Sequence, residues 1–187
     1  MDIPTESFLL ALDVSTFCIG FCIWNLSKNK LETAGHIPLK KYKDWLDKVN
    51  HVCDILTEIN ENTQTITHVA IEDIITKFAS GRSNIKTIIK LAGFNYVIQR
   101  KCYEIFDTTP SLHNVIRSRN LADCKVPKGS NAKEFILKRV CELHPEVKEM
   151  LPMKKTKPEF AVEAFDLADA VVVSRAAAVE IENGFKK

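Results

Sequence analysis

Residues 8–13 read Phe8-Leu9-Leu10-Ala11-Leu12-Asp13, five apolar side chains closed by a carboxylate. Such a run is expected of a strand buried on both faces of a sheet, with its acid at the tip. An ionised carboxylate in apolar surroundings is costly unless it is paired or coordinates a metal. The same oddity recurs at Glu72, inside Val69-Ala70-Ile71-Glu72-Asp73, and at Asp166 and Asp169, inside Ala164-Phe165-Asp166-Leu167-Ala168-Asp169-Ala170. A cation bound by all four acids would be a common cause. Oxygen-only ligands suit Mg²⁺ or Mn²⁺ rather than zinc, and a cluster of this size can hold two ions of the kind that drive phosphodiester hydrolysis.

Outward from this strand, residues 19–24 and 31–38 read as two further strands of a meander, with Gly20 permitting close backbone packing. The period then changes. Leu39, Tyr42, Leu46, Val49, Cys53, Leu56 and Ile59 recur every three or four residues, which predicts an amphipathic helix. Residues 65–71 are rich in β-branched side chains and deliver Glu72 at a second strand end. Residues 80–84 read as a loop. A helix over 84–102 follows, with Ile85, Ile88, Ile89, Ala92, Tyr96 and Val97 as its core stripe; Phe94 and Ile98 extend the apolar surface around it, so it is expected to be buried on two sides.

The spacing then predicts a strand at 103–108, a short helix at 111–119 and a turn at 123–130 around Pro127 and Gly129. A helix over 132–143 follows, capped by Asn131 and burying Phe135, Ile136, Val140 and Leu143. Residues 150–158 form a basic, proline-flanked loop. A final helix over about 160–180 sets Asp166 and Asp169 on one face, three residues apart. The order of elements describes an α/β fold with a five-stranded mixed sheet flanked by helices, expected as one domain over 1–187.

Composition narrows the rest. The 187 residues are 45% hydrophobic, enough for a sizeable core, and 26 basic against 24 acidic side chains leave bulk charge uninformative about partners. Cys18, Cys22, Cys53, Cys102, Cys124 and Cys141 form no Cys-x-x-Cys pair and read as small hydrophobes in a reducing compartment, cytoplasmic or nucleoid-associated. The N-terminal segment lacks the basic flank and apolar core of a signal peptide, and no segment reaches the length of a membrane span.

Taken together, Leu10-Ala11-Leu12-Asp13-Val14-Ser15-Thr16-Phe17-Cys18-Ile19-Gly20-Phe21, then Val69 to Asp73, then Asp166-Leu167-Ala168-Asp169-Ala170 resemble three motifs of the RuvC-type Holliday junction resolvases. These are the opening strand, second acidic motif and closing helix of that family, which lies in the RNase H-like, retroviral-integrase superfamily. The resemblance implies an RNase H-like fold and a homodimer that cuts opposing strands of a four-way DNA junction. It implies two Mg²⁺ ions per site, with Mn²⁺ as a substitute. Asp13 would bridge the ions, Glu72 and Asp169 would each complete one shell, and Asp166 would bind directly or through water. Lys128-Gly129-Ser130-Asn131-Ala132-Lys133-Glu134 resembles the stretch carrying the family's basic active-site residue, which makes Lys133 a catalytic candidate. The 84–102 helix corresponds to one that packs against its twofold mate.

Two departures stand out. Val14-Ser15 occupy the place where the family often has Pro-Gly, and Ile74-Ile75 the place of an aromatic; isoleucine can separate bases but cannot stack on them as a ring does. A phosphate-tracking surface is expected among Arg117, Arg119, Lys128, Lys154, Lys155 and Lys157, the last three in the loop that precedes the final helix. Rival readings are an RNase H-type enzyme acting on RNA/DNA hybrids, a non-catalytic branched-DNA-binding subunit, and an actin-like sugar kinase. The last needs a second glycine-rich half that six glycines in this short chain do not provide.

Overall fold

Five strands form a single sheet in the order β3-β2-β1-β4-β5, so the opening strand lies at its centre. The computed structural model describes residues 6–63, 65–74, 85–154 and 159–184. The strands are β1 (Phe8–Val14), β2 (Cys18–Asn25), β3 (Lys30–Pro38), β4 (Ile66–Glu72) and β5 (Ser111–His113). The first three make an antiparallel meander, while β4 runs parallel to β1 and β5 parallel to β4. The helices are α1 (Trp45–Asn62), α2 (Ile85–Phe106), α3 (Val115–Leu121), α4 (Ala132–Leu143), α5 (Val147–Met150) and α6 (Glu163–Glu182). Among the described residues no helix is long and apolar enough to cross a membrane.

Side-chain alternation along β1 explains why the run is apolar throughout. Leu9 and Ala11 belong to a core shared with α4 and α6, whereas Leu10 and Leu12 belong to a second core shared with α1 and α2. Asp13 continues the phase of Leu9 and Ala11, so its carboxylate turns toward α6. In β4, Glu72 continues the phase of Ala70 and turns the same way. Leu12 is in register with Ile71, which sets the two acids side by side at the same end of neighbouring strands.

Helix α6 is apolar on nearly all sides because it is covered on nearly all sides. It lies across β1 and β2 and is flanked by α3 and α4. Its alanines let it approach the sheet closely, and the approach is tightest at Gly20. A Cβ on Gly20 would sit 2.0 Å from the Asp166 carbonyl oxygen, so no other residue fits there without moving the helix. Gly20 is also the cross-strand partner of Asp13. One glycine therefore brings the start of α6 onto the strand end that carries the central acid.

Several expectations are corrected. The strand placed at 103–108 is helical: the buried series Phe94, Ile98, Cys102 and Phe106 carries α2 on by i+4 steps until Asp107, whose φ of 50° ends it. The fifth strand is instead Ser111–His113, inside the segment read as a short helix. That helix starts later because the Asn114 side chain caps it, accepting from the N–H groups of Ile116 and Arg117 at 3.0 and 3.2 Å. Likewise α1 starts at Trp45 and not near Leu39, capped by Asp44, and α6 starts at Glu163. Half of the core stripe expected for α2 faces outward: Ile85, Ile89 and Tyr96 are 72%, 65% and 71% exposed, Ile88 and Ala92 are half-buried, and only Val97 packs against the core that Phe94, Ile98 and Cys102 fill.

Candidate active site

The strand ends and α6 bring Asp13, Glu72, Asp166 and Asp169 together. Asp13 is held well above the usual carboxylate range, first by burial and then by the charges of Glu72, Asp169 and Asp166. Burial and Asp169 push Glu72 up to about 8. Burial also raises Asp169, against the pull of Arg119 and Lys133, and raises Asp166, against the pull of Lys133 and a hydrogen bond from the Cys18 thiol. Of its three acidic neighbours, Asp166 acts least on Asp13.

Cationic side chains close the cluster from two sides. Arg119, on α3, reaches Asp169 at 3.6 Å and is only 24% exposed, so it is turned inward and not presented to a partner. Lys133, in the first turn of α4, is exposed, lies 5.7 Å from the ring centroid of Phe165 and forms no ion pair among the described residues. Its charge is nevertheless felt at all four acids. Asn131 holds its backbone N–H at 3.2 Å, as the expected cap of α4.

Among the described residues no three carboxylate, imidazole or thiol side chains are drawn close enough to enclose one ion as they stand. The donor chemistry still fits a hard divalent cation. Every donor is a carboxylate oxygen, the group is sheltered from water, and mutual repulsion raises each acid. A divalent cation would relieve that repulsion.

No protein-family model and no curated protein sequence matches the chain. Its coordinates do find relatives. RuvC from Thermus thermophilus, in complex with a Holliday junction substrate, matches at a TM-score of 0.67 and 12% identity, over 96% of this chain and 97% of its own. The chain has the RuvC fold. A second Thermus thermophilus RuvC structure matches at 0.60 and 13% identity, over 95% and 97%. The yeast mitochondrial Holliday junction resolvase Ydc2 matches at 0.59 and 14% identity, over 98% and 85%. At such identities the likeness speaks to the path of the chain alone.

Within this RuvC fold the remaining expected DNA contacts are scattered. Arg117 pairs with Glu180 at 2.7 Å, and Glu180 also meets buried His113 at 3.2 Å. Lys128 is exposed in the turn before α4, beside Gly129 with its φ of 85°. Lys154 pairs with Glu159 at 2.6 Å, while Lys155 and Lys157 lie outside the described residues, as does Ile75.

Sequence reasoning missed three supporting residues. Buried Asn95 donates from Nδ2 to the Glu72 backbone carbonyl at 3.3 Å and accepts at Oδ1 from Gln99 at 2.6 Å, fixing the end of β4. Cys18, expected only to pack, is buried beside Asp166 and its thiol lowers that acid's pKa. Arg119 was taken as a phosphate contact and turns to Asp169. A buried asparagine on a helix facing a strand end was the one signal available in advance.

Proposed function

We propose that this protein is a structure-selective DNA endonuclease that resolves four-way junctions, cutting opposing strands as a homodimer. The observation that carries the reading is the meeting of Asp13, Glu72, Asp166 and Asp169, with Lys133 beside them, in a chain that follows the RuvC path over nearly its full length. The relative in complex with a Holliday junction supports the choice of substrate.

Asp13, Glu72 and Asp169, with Asp166 at the margin, are the residues that would hold Mg²⁺, and Mn²⁺ has the same preference for oxygen donors. When bound, the metal supplies a reactive water at neutral pH and stabilises charge on the phosphate. The protein's own part is positional. β1, β4 and α6 fix the backbone that carries the acids before substrate arrives, so only side-chain adjustment is left for the carboxylates to close on an ion. Lys133, exposed and without an ion pair, is available to a phosphate oxygen and offsets the negative charge that builds on it. Arg119 spends its charge on Asp169, which fixes that carboxylate's orientation and leaves Lys133 as the cation facing substrate.

The dimer reading rests on α2. Ile85, Ile89, Tyr96 and Tyr103 form an outward apolar stripe, and the last three are spaced by seven residues, as in a helix seam. Gly93 lies within the stripe with nothing near the position of a Cβ, leaving room for a second backbone.

The test is a comparison of a synthetic four-way junction, a linear duplex of the same sequence and an RNA/DNA hybrid, each with Mg²⁺ and with EDTA. Paired nicks in the junction alone, lost in EDTA, are expected. Cutting of the hybrid in preference to the junction would replace this reading by a ribonuclease, and junction binding without any cutting would replace it by a binding subunit.

A further inference from the structure

Phe17 is 63% exposed, yet it is held in an ordered turn. The Ser15 hydroxyl donates to the Cys18 carbonyl at 2.7 Å and accepts from the N–H groups of Phe17 and Cys18 at 3.3 and 3.1 Å. Lys48, on α1, donates from Nζ to the Thr16 carbonyl at 2.6 Å and lies 5.5 Å from the centroid of the Phe17 ring. This turn directly follows β1, whose last two residues are Asp13 and Val14.

The turn forms one wall of a groove of about 800 Å³ between β1, the start of α1 and α2. Trp45, 40% exposed, lines it as well, its ring packed edge-on against buried Phe94 at 6.0 Å and so held in orientation. Lys43, Lys48 and Lys90 complete the charged part of the lining, and no described lining residue is an acid. None of the three lysines is in an ion pair among the described residues. Two ordered rings beside three unpaired cations match one chemistry closely: a planar base on a phosphodiester chain, the base stacking on a ring and the phosphates meeting ammonium groups. Ile89 and Gly93 line the groove from α2 and belong also to the outward stripe, so the groove opens beside the proposed dimer seam, whereas a second copy centred on the groove itself would set lysines against lysines.

We propose that this groove takes an unpaired DNA base next to the scissile phosphate, stacked on Phe17 and Trp45, with Lys43 and Lys90 on the flanking phosphates. The inference rests on the nuclease reading, because Ser15 of the groove wall follows Asp13 by two residues in the chain, and that adjacency connects the base to the phosphate being cut.

The chain has two tryptophans, and Trp24 is buried, so a ligand-induced change in emission reports Trp45. Wild-type protein, Phe17→Ala, Phe17→Tyr and the double variant Lys43→Gln with Lys90→Gln would be titrated in EDTA with a four-way junction and a ten-nucleotide oligothymidylate, following emission and sedimentation. Quenching by both ligands is expected in the wild type. Phe17→Ala should weaken oligothymidylate binding about fivefold or more, and Phe17→Tyr should restore it. The lysine variant should bind more weakly with a shallower salt dependence. Tight junction binding with unchanged emission and no effect of Phe17→Ala overturns the groove and leaves the nuclease reading standing. A shift of Phe17→Ala from dimer to monomer, with oligothymidylate binding unchanged, makes the groove a contact between copies and also overturns the proposal. Failure to bind or cut any DNA overturns both readings.

Discussion

Burial and three neighbouring acids hold Asp13 protonated well beyond the pH at which an ordinary aspartate ionises. Its neutral isostere should therefore suit the metal-free fold better than aspartate does. Asp13→Asn is expected to raise the melting temperature in EDTA by a few degrees, for about 1 kcal/mol, while cleavage falls to background and junction binding persists. A fall in melting temperature would mean that Asp13 stabilises the fold. The sign of the pH dependence follows from Glu72, raised from 4.5 to about 8. Between those values the folded state keeps a proton that the unfolded state has lost, so the contribution of Glu72 to metal-free stability is greatest below about pH 4.5 and declines as pH rises toward 8. Adding Mg²⁺ at pH 8 should reverse this, by about 5 °C at a hundredfold excess over its dissociation constant. Thermal melts at four pH values, with and without Mg²⁺, check both statements, and Asp13→Asn should lose most of the Mg²⁺ effect. In the proposed reaction Lys133 acts on the phosphate and leaves the fold alone. Lys133→Met should leave the melting temperature within a degree or so, since exposed sites change stability little, and lower the single-turnover cleavage rate by about a hundredfold. An unchanged rate would return Lys133 to the solvated surface.

Among the elements, the packing of α6 on β2 positions the site most directly. Gly20→Ala puts a methyl where the Asp166 carbonyl lies, and backbone cannot rotate aside as a side chain can. The start of α6 must then move away from Asp13, carrying Asp166 and Asp169 with it. The expected cost is about 1–3 kcal/mol of stability and at least a tenfold loss of cleavage, although every carboxylate is still present. A variant with full activity would mean the acids tolerate a looser helix. How far the elements could be read in advance depended on whether burial left a one-sided pattern. β1 is legible because a strand buried on both faces is apolar up to its end, so Asp13 stands out, and β4 because β-branched residues lead up to Glu72. For α2 the same richness misleads: with apolar residues around the circumference, periodicity finds a helix but cannot tell the core face from the outer face, and the expected stripe mixes Val97, which packs inward, with Ile85, Ile89 and Tyr96, which face out. β5 is three residues long and sits between a helix end and the Asn114 cap, too short for alternation to register. The pull of Arg119 into the cluster depends on α3 packing against α6, a contact between segments 50 residues apart that local sequence does not encode.

At the scale of the whole molecule, one site cuts one strand, and a four-way junction is resolved only when two strands are cut in symmetry. The outward stripe of α2 is the surface best suited to supply the second site. Ile89, Tyr96 and Tyr103 repeat at seven residues, Ile85 lies one turn before Ile89, and all four are more than 40% exposed in a single chain. A stable twofold contact buries about 1,600 Å² in total, and a helix seam of this length, widened by its flanks, is of the right order. Tyr96→Glu puts a charge in the middle of the stripe without touching the Phe94, Ile98 and Cys102 face that packs on the sheet, and glutamate keeps the helix propensity. On the proposed dimer the variant should therefore fold with an unchanged far-UV spectrum, sediment as a monomer where the wild type is expected to sediment as a dimer, and nick a junction slowly in one strand instead of cutting two strands together. A supercoiled plasmid carrying an extruded cruciform separates these outcomes, because paired cuts linearise the circle and a single nick relaxes it. Linear product from a monomeric variant would detach resolution from α2 and require the second cut to come from a later, independent encounter.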